Sequence, residues 1–183
     1  IGMAVGLPGA ADLAAFADLL EDELDPSLRR TSISGALDFA RESIATNAFD
    51  GWRQVIDVSG DGPNNQGRPV TEARDRAVAE GITVNGLPLM TRDGMGGVWT
   101  LDRLDLYYQT CVTGGPGSFV IPVLDWEDFE AAVRRKLVQE IAALPARTGP
   151  DRLIPVQMAG PDPTDCLIGE KIRRQRNEFW DQP

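Results

Sequence analysis

The sequence predicts an α/β domain: a mostly parallel sheet flanked by helices. Three observations carry this. Short apolar runs alternate with amphipathic helical stretches, the pattern of parallel crossovers. The run Val55-Ile56-Asp57-Val58 ends in an acidic turn, Ser59-Gly60-Asp61-Gly62, and glycine allows the sharp bend a chain makes on leaving a strand. The helical stretches carry start and stop signals, such as Pro69 at one start and Gly81 at the same helix's end.

The elements follow in order. Asp12 to Leu24 has an apolar stripe at Leu13, Phe16, Ala17, Leu20 and Leu24, and Pro26 stops it. A second helix runs from about Ser32 to Thr46. Ile33, Ala36, Leu37, Ala40 and Ile44 form its inner face, and Thr31 or Ser32 is its N-cap. A strand follows at Gln54 to Val58. A third helix spans Pro69 to Glu80, with Val70, Ala73, Ala77 and Val78 inward. Ile82 to Leu89 is the next strand, which Gly86 and Pro88 should make irregular near its end. Met90 to Gly97 is a glycine-rich loop, and Leu101 to Tyr108 is helical. Ser118 to Val123 is a third strand. Trp126 to Ala143 is a helix capped by Asp125, with Phe129, Val133, Leu137 and Ile141 inward and Arg134, Arg135 and Lys136 outward. Pro145 to Pro163 reads as a linker, and Cys166 to Trp180 as a short helix packing back. Two regions result: residues 1–144 as the domain, and 145–183 as linker and tail.

Composition narrows function. The chain of 183 residues has a net charge of −10, which disfavours nonspecific nucleic-acid binding. Histidine is absent, so a Ser-His-Asp triad, a Cys-His dyad and any His-ligated zinc are excluded. The two cysteines, Cys111 and Cys166, allow one disulfide in an exported protein or two buried thiols in a reducing compartment. No stretch is long and apolar enough for a membrane-spanning helix. Ile1 to Ala11 lacks the basic start of a signal peptide, and a chain that begins with Ile is expected to be processed or cut. Trp52, Trp99, Trp126 and Trp180 read as packing anchors, and Lys171 to Arg176 as a solvated helix face.

Topology gathers oxygens. Helix starts and strand ends share the carboxyl edge of such a sheet, where open α/β folds bind ligands. Thr31, Ser32, Ser34, Ser59, Asp61, Thr91, Asp93 and Asp125 should therefore line one rim. Hydroxyls and carboxylates without His or Cys suit a hard cation such as Mg²⁺. The plainer alternative is architectural: Thr31 caps a helix and Asp61 orders its own turn.

The strings Thr31-Ser32-Ile33-Ser34-Gly35-Ala36-Leu37, Val55 to Gly62 and Ala79-Glu80-Gly81-Ile82-Thr83-Val84-Asn85-Gly86 resemble the von Willebrand factor A-type domain. Asp57 to Pro69, with Gly114-Gly115-Pro116-Gly117-Ser118-Phe119, is similar to a bacterial family of unknown function, DUF1194. The likeness runs from about Leu13 to Leu144 and touches Cys166 to Glu170. It implies a Rossmann-like sheet and a metal-ion-dependent adhesion site, in which Thr31 matches the threonine and Asp61 the last aspartate. The family's Asp-x-Ser-x-Ser loop has no counterpart here, because Asp57-Val58-Ser59-Gly60-Asp61 ends in aspartate. The expectation is a domain without its first strands, whose N-terminal portion lies upstream, exported to the bacterial envelope. The implied function is a protein-interaction module, not an enzyme, in which Mg²⁺ meets an acidic side chain of a protein partner. Two alternatives stand beside it. One is a structural or self-assembling fragment without metal. The other is a phosphate-handling enzyme using the Ser59 to Gly67 loop as an anion nest. The enzyme reading is weakened because no phosphate-loop motif is present and no lysine precedes Lys136.

Overall fold

The computed structural model describes residues 30–49, 51–91, 101–142 and 164–180, with side chains given to Gln139 in the third range and Glu178 in the last. The helix expected at Asp12 to Leu24, most of the Met90 to Gly97 loop, Asp93, Trp99 and the linker to Pro163 lie outside the described residues.

Helix α1 spans Ile33–Thr46. Ser32 caps it, its hydroxyl accepting from the Gly35 amide at 3.3 Å. Ile33, Ser34 and Leu37 are buried, with Ala40 and Ile44 partly so. Ala36 is exposed, so the inner face is rotated towards Ser34. Strand β1 is Val55–Gly60, and its alternating burial marks two different faces. Helix α2 is Val70–Ala79, burying Val70, Ala73 and Ala77. It ends before Gly81, whose φ of 84° needs a residue without a side chain. Strand β2 is Thr83–Pro88, buried at every position.

β1 and β2 pair in parallel with unbroken register from Val55↔Thr83 to Gly60↔Pro88. The irregularity expected at Gly86 does not occur. Gly86 is there for packing: a Cβ on it would meet Tyr108 Cδ1 at 2.8 Å and Thr113 Cγ2 at 3.0 Å. The third strand is looser than expected. Its segment runs parallel beside β2 through bridges at Val120 to Gly86 and Val123 to Leu89 only. Gly86 and Met90 donate to this segment and Ile121 and Val123 donate back, but Pro88 between Gly86 and Met90 has no amide to donate, which interrupts the ladder.

After the described gap, helix α3, Leu104–Tyr107, widens into a π-helical turn at Tyr108–Val112. A 3₁₀ turn, Trp126–Asp128, leads into α4, Phe129–Ala142. Asp125 precedes that turn but makes no side-chain cap. The final helix, α5, spans Ile168–Trp180.

Two cores result. Ile56, Val58, Val84 and the inner sides of α1, α2, α3 and the π turn form the larger one. Leu87, Ile121, Val123 and Ala132 of α4 form the smaller, on the other sheet face. Helices thus cover both faces of the parallel strands, as the sequence predicts.

The smaller core contains a correction. Lys136 is not solvent-facing: it is 9% exposed, and its ammonium lies 2.6 Å from Asp57 Oδ2. Asn85, paired with Asp57 in the register, donates to Asp57 Oδ1 at 3.3 Å and accepts from the Phe119 amide. Lys136 thus meets the Asp57 carboxylate on the α4 side of β1. Leu137 and Phe129, expected inward, are 48% and 36% exposed. Trp52 is not a packing anchor either, being fully exposed, whereas Trp126 is half-buried against Phe129.

Candidate functional site

β1 ends at Gly60, and the chain turns through Asp61 and Gly62 into Pro63-Asn64-Asn65. This loop meets the start of α1. The Thr31 amide donates to Asn65 Oδ1 at 2.9 Å, and the Thr31 carbonyl accepts from the Asn65 and Gln66 amides. The Ser34 amide donates to Asn64 Oδ1 at 3.0 Å, and the hydroxyls of Ser32 and Ser34 donate to the Gln66 carbonyl. The first turn of a helix has amides without internal partners, and here two asparagines supply acceptors in and beside it. Gly67, with φ of 90°, brings the loop back against these serines.

The outcome is a Thr31 backbone locked from both sides. Its Oγ1 lies 3.9 Å from where a Cβ on Gly62 would sit, so the Thr31 hydroxyl faces the acidic turn. The Thr31 hydroxyl thereby lies beside the turn that carries Asp61. Asp61 is exposed there. Ser32 and Ser34 join the rim, but their hydroxyls are engaged with Gln66.

Beneath the turn lie two fully buried tyrosines, their rings edge to face at 6.3 Å. The Tyr107 hydroxyl accepts from the Asn64 amide at 3.1 Å. The Tyr108 hydroxyl sits 2.7 Å from the Cβ position of Gly60 and has no hydrogen-bond partner. Burial pushes both phenols far above the ordinary tyrosine range. The Tyr107 ring and then the Asp61 carboxylate add to this for Tyr108.

The loop's other side is held by α5. Asn64, fully buried, donates from Nδ2 to Glu170 Oε1 at 2.7 Å and to the Arg68 carbonyl at 3.1 Å. Arg173 donates to the Asn65 carbonyl at 2.8 Å. Gly169 lies so close to the Asn64 carbonyl that no Cβ would fit. Cys166 at the foot of α5 is joined to Cys111 of the π turn, Cα to Cα 5.5 Å. The sequence leaves those cysteines open between a bridge and two thiols; the structure has the bridge.

A family described as a protein of unknown function, DUF1194, matches residues 6–145. The chain belongs to DUF1194. A crystal structure of an aerotolerance-related membrane protein from Bacteroides fragilis NCTC 9343, with multiple mutations to serines, is similar to this DUF1194 chain. They share 23% identity and a TM-score of 0.50, over 71% of this chain and 69% of that one. The likeness concerns the fold. No curated protein matches. Among the described residues, no helix is long and apolar enough to cross a membrane.

The donor set of this DUF1194 rim can be weighed against Mg²⁺. No cluster of three His, Cys, Asp or Glu side chains able to hold a metal occurs among the described residues. A hydroxyl at Thr31 and a carboxylate at Asp61 remain. Mg²⁺ keeps several waters and needs only one or two carboxylates, so these two oxygens fit part of its shell. The sequence signals the loop through its Ser-Gly-Asp-Gly-Pro-Asn-Asn string. It does not signal Asn64, Glu170 and Arg173, whose roles need contacts across 106 and 108 positions.

Proposed function

We propose that this chain is a protein-interaction module of von Willebrand factor A type, belonging to an exported protein. On this reading Mg²⁺ at the rim is held through Thr31 and Asp61. It completes its shell with an acidic side chain of a protein partner. The observation that carries the reading is the placement of the Thr31 hydroxyl against the Gly62 turn by a loop that spends its asparagines on holding Thr31 and α1. Architecture consumes Asn64 and Asn65, while Asp61 in the same loop stays exposed. The disulfide supports export, since such bridges persist in oxidising compartments.

A binding module fits this chemistry better than an enzyme. There is no histidine, and Lys136, the first lysine of the chain, is bound to Asp57. The cation, when bound, supplies positive charge that an acidic partner group would meet. Thr31 and Asp61 would hold it, on a loop that Asn64 and Asn65 fix to the start of α1.

The test is thermal and urea unfolding with Mg²⁺ or EDTA, for wild type and Asp61→Ala. A ligand at a hundredfold excess over its Kd stabilises by about 2.7 kcal/mol. Wild type should gain such an increment and Asp61→Ala should not. A wild-type stability indifferent to Mg²⁺ sinks the metal-dependent reading and favours a structural role.

A further inference from the structure

Helix α4 gives little of itself to the sheet. Among its described side chains, Ala132 and Lys136 are buried and Val133 is half-buried, while the others face outward. Its apolar stripe is left on a flank. Leu124, Trp126, Phe129, Leu137 and Val138 are 56%, 52%, 36%, 48% and 57% exposed. Single apolar side chains on a surface need no explanation, but these follow one another along one helix and its approach. Together they leave roughly 450 Å² of apolar surface open, within the range of a monomer's largest patch, which is often functional. That is close to the apolar share of one side of a standard interface, about 800 Å² of which roughly 60% is apolar.

The charges on the same helix point to what covers it. Glu127, Asp128 and Glu130 are exposed at its start, and Arg134 and Arg135 are exposed further along. A helix acidic at its start and basic further along is complementary to itself when reversed. Trp126, Glu130, Arg134 and Val138 follow at four-residue intervals and form one ridge, with Phe129, Val133 and Leu137 as the row beside it. A two-fold axis crossing this ridge level with Ala132 sets Glu130 of one copy against Arg134 of the other, twice by symmetry. The same register sets Trp126 against Val138, with Leu137 alongside. A parallel pairing would instead bring acid to acid and base to base, which is costly. The reversed pairing also opposes the two helix dipoles.

We infer that this flank of α4 is a homodimer interface, in which two copies of the chain pair α4 against α4, antiparallel about a two-fold axis. The pairing needs no metal, so it stands or falls apart from the reading of the rim.

Sedimentation equilibrium of the full chain in EDTA measures the pairing for wild type, Leu137→Glu, Glu130→Arg and the double exchange Glu130→Arg with Arg134→Glu. Wild type should approach twice the chain mass as concentration rises. Leu137→Glu should raise the dissociation constant by about tenfold or more. Glu130→Arg should weaken pairing by about tenfold, and the double exchange should return it to within about threefold of wild type. Glu130 and Arg134 are both exposed, so these two variants leave the core untouched. The urea midpoint of wild type should rise with chain concentration, and that of Leu137→Glu should not. A wild type that stays monomeric at every concentration overturns the inference. If Leu137 and Val138 of that monomer also resist hydroxyl-radical labelling, the stripe is covered from within its own chain. A dimer indifferent to both Leu137→Glu and Glu130→Arg overturns it as well, and puts the contact on another surface.

Discussion

Replacing both Cys111 and Cys166 with alanine tests how α5 is held. Alanine leaves no polar group in the buried Cys111 site, so the change reports mainly on the lost crosslink. The bridge joins residues separated by 55 positions. In the chain-entropy account, a closed loop of that size restricts the unfolded ensemble by about 4 kcal/mol. Against this stand the contacts α5 keeps without the bridge: Glu170 to Asn64 and Arg173 to Asn65. Each hydrogen bond is worth about 1 kcal/mol net, rising to roughly 2 where a charge takes part. Both bonds involve a charge, so together they are of the same order as the crosslink, and α5 stays partly held when the bridge is lost. Urea unfolding of the double variant should give a stability about 4 kcal/mol lower, and a melting point lower by roughly 10 °C for a chain of this size. Its m-value should rise, because an unbridged unfolded chain exposes more surface. Wild type unfolded in a thiol reductant should match it. A loss under about 1 kcal/mol refutes the reasoning and means that α5 is secured by its contacts alone.

Three further outcomes are expected. Asn64→Ala strands the Ser34 amide and removes the links to Arg68 and Glu170, so denaturant unfolding should show a loss of about 3 kcal/mol. Lys136→Met leaves Asp57 without its ammonium; because the Asp57 side chain is 33% exposed, the cost should be about 1–2 kcal/mol, below that of a fully buried pair, and adding Asp57→Asn should recover most of it. Tyr107 and Tyr108 hold their protons more tightly in the folded chain than in the unfolded one. Their stabilising contribution is complete below the ordinary tyrosine pKa of about 10, and above it declines by up to roughly 1.4 kcal/mol per pH unit for each ring. Urea midpoints flat up to that pH and falling beyond it would agree; midpoints that rise would not.

The sequence makes the local elements plain and the long-range ones obscure. α1, α2, β1 and β2 are legible because periodicity and end signals lie within each segment: Ser32 before α1, Gly81 after α2, alternating apolar residues in β1. Thr31 and Asp61 are singled out by the same local signals, as a helix start and a strand end. Lys136 is misread because a helical wheel sees only its own helix, and the deciding charge, Asp57, sits on a strand 79 positions earlier. The asparagines of the loop look like turn formers. Their second employment, holding α1 on one side and α5 on the other, depends on partners from 30 to 108 positions away.

The contact between Gly169 and the Asn64 carbonyl bears on the order of assembly. α5 fits only a loop that already has its final shape, since the groove it enters leaves no space even for a methyl group. Contacts spanning so many residues form late, after local structure is in place. The Cys111–Cys166 bridge and this close fit together tie the start of α5 to both the π turn and the rim loop.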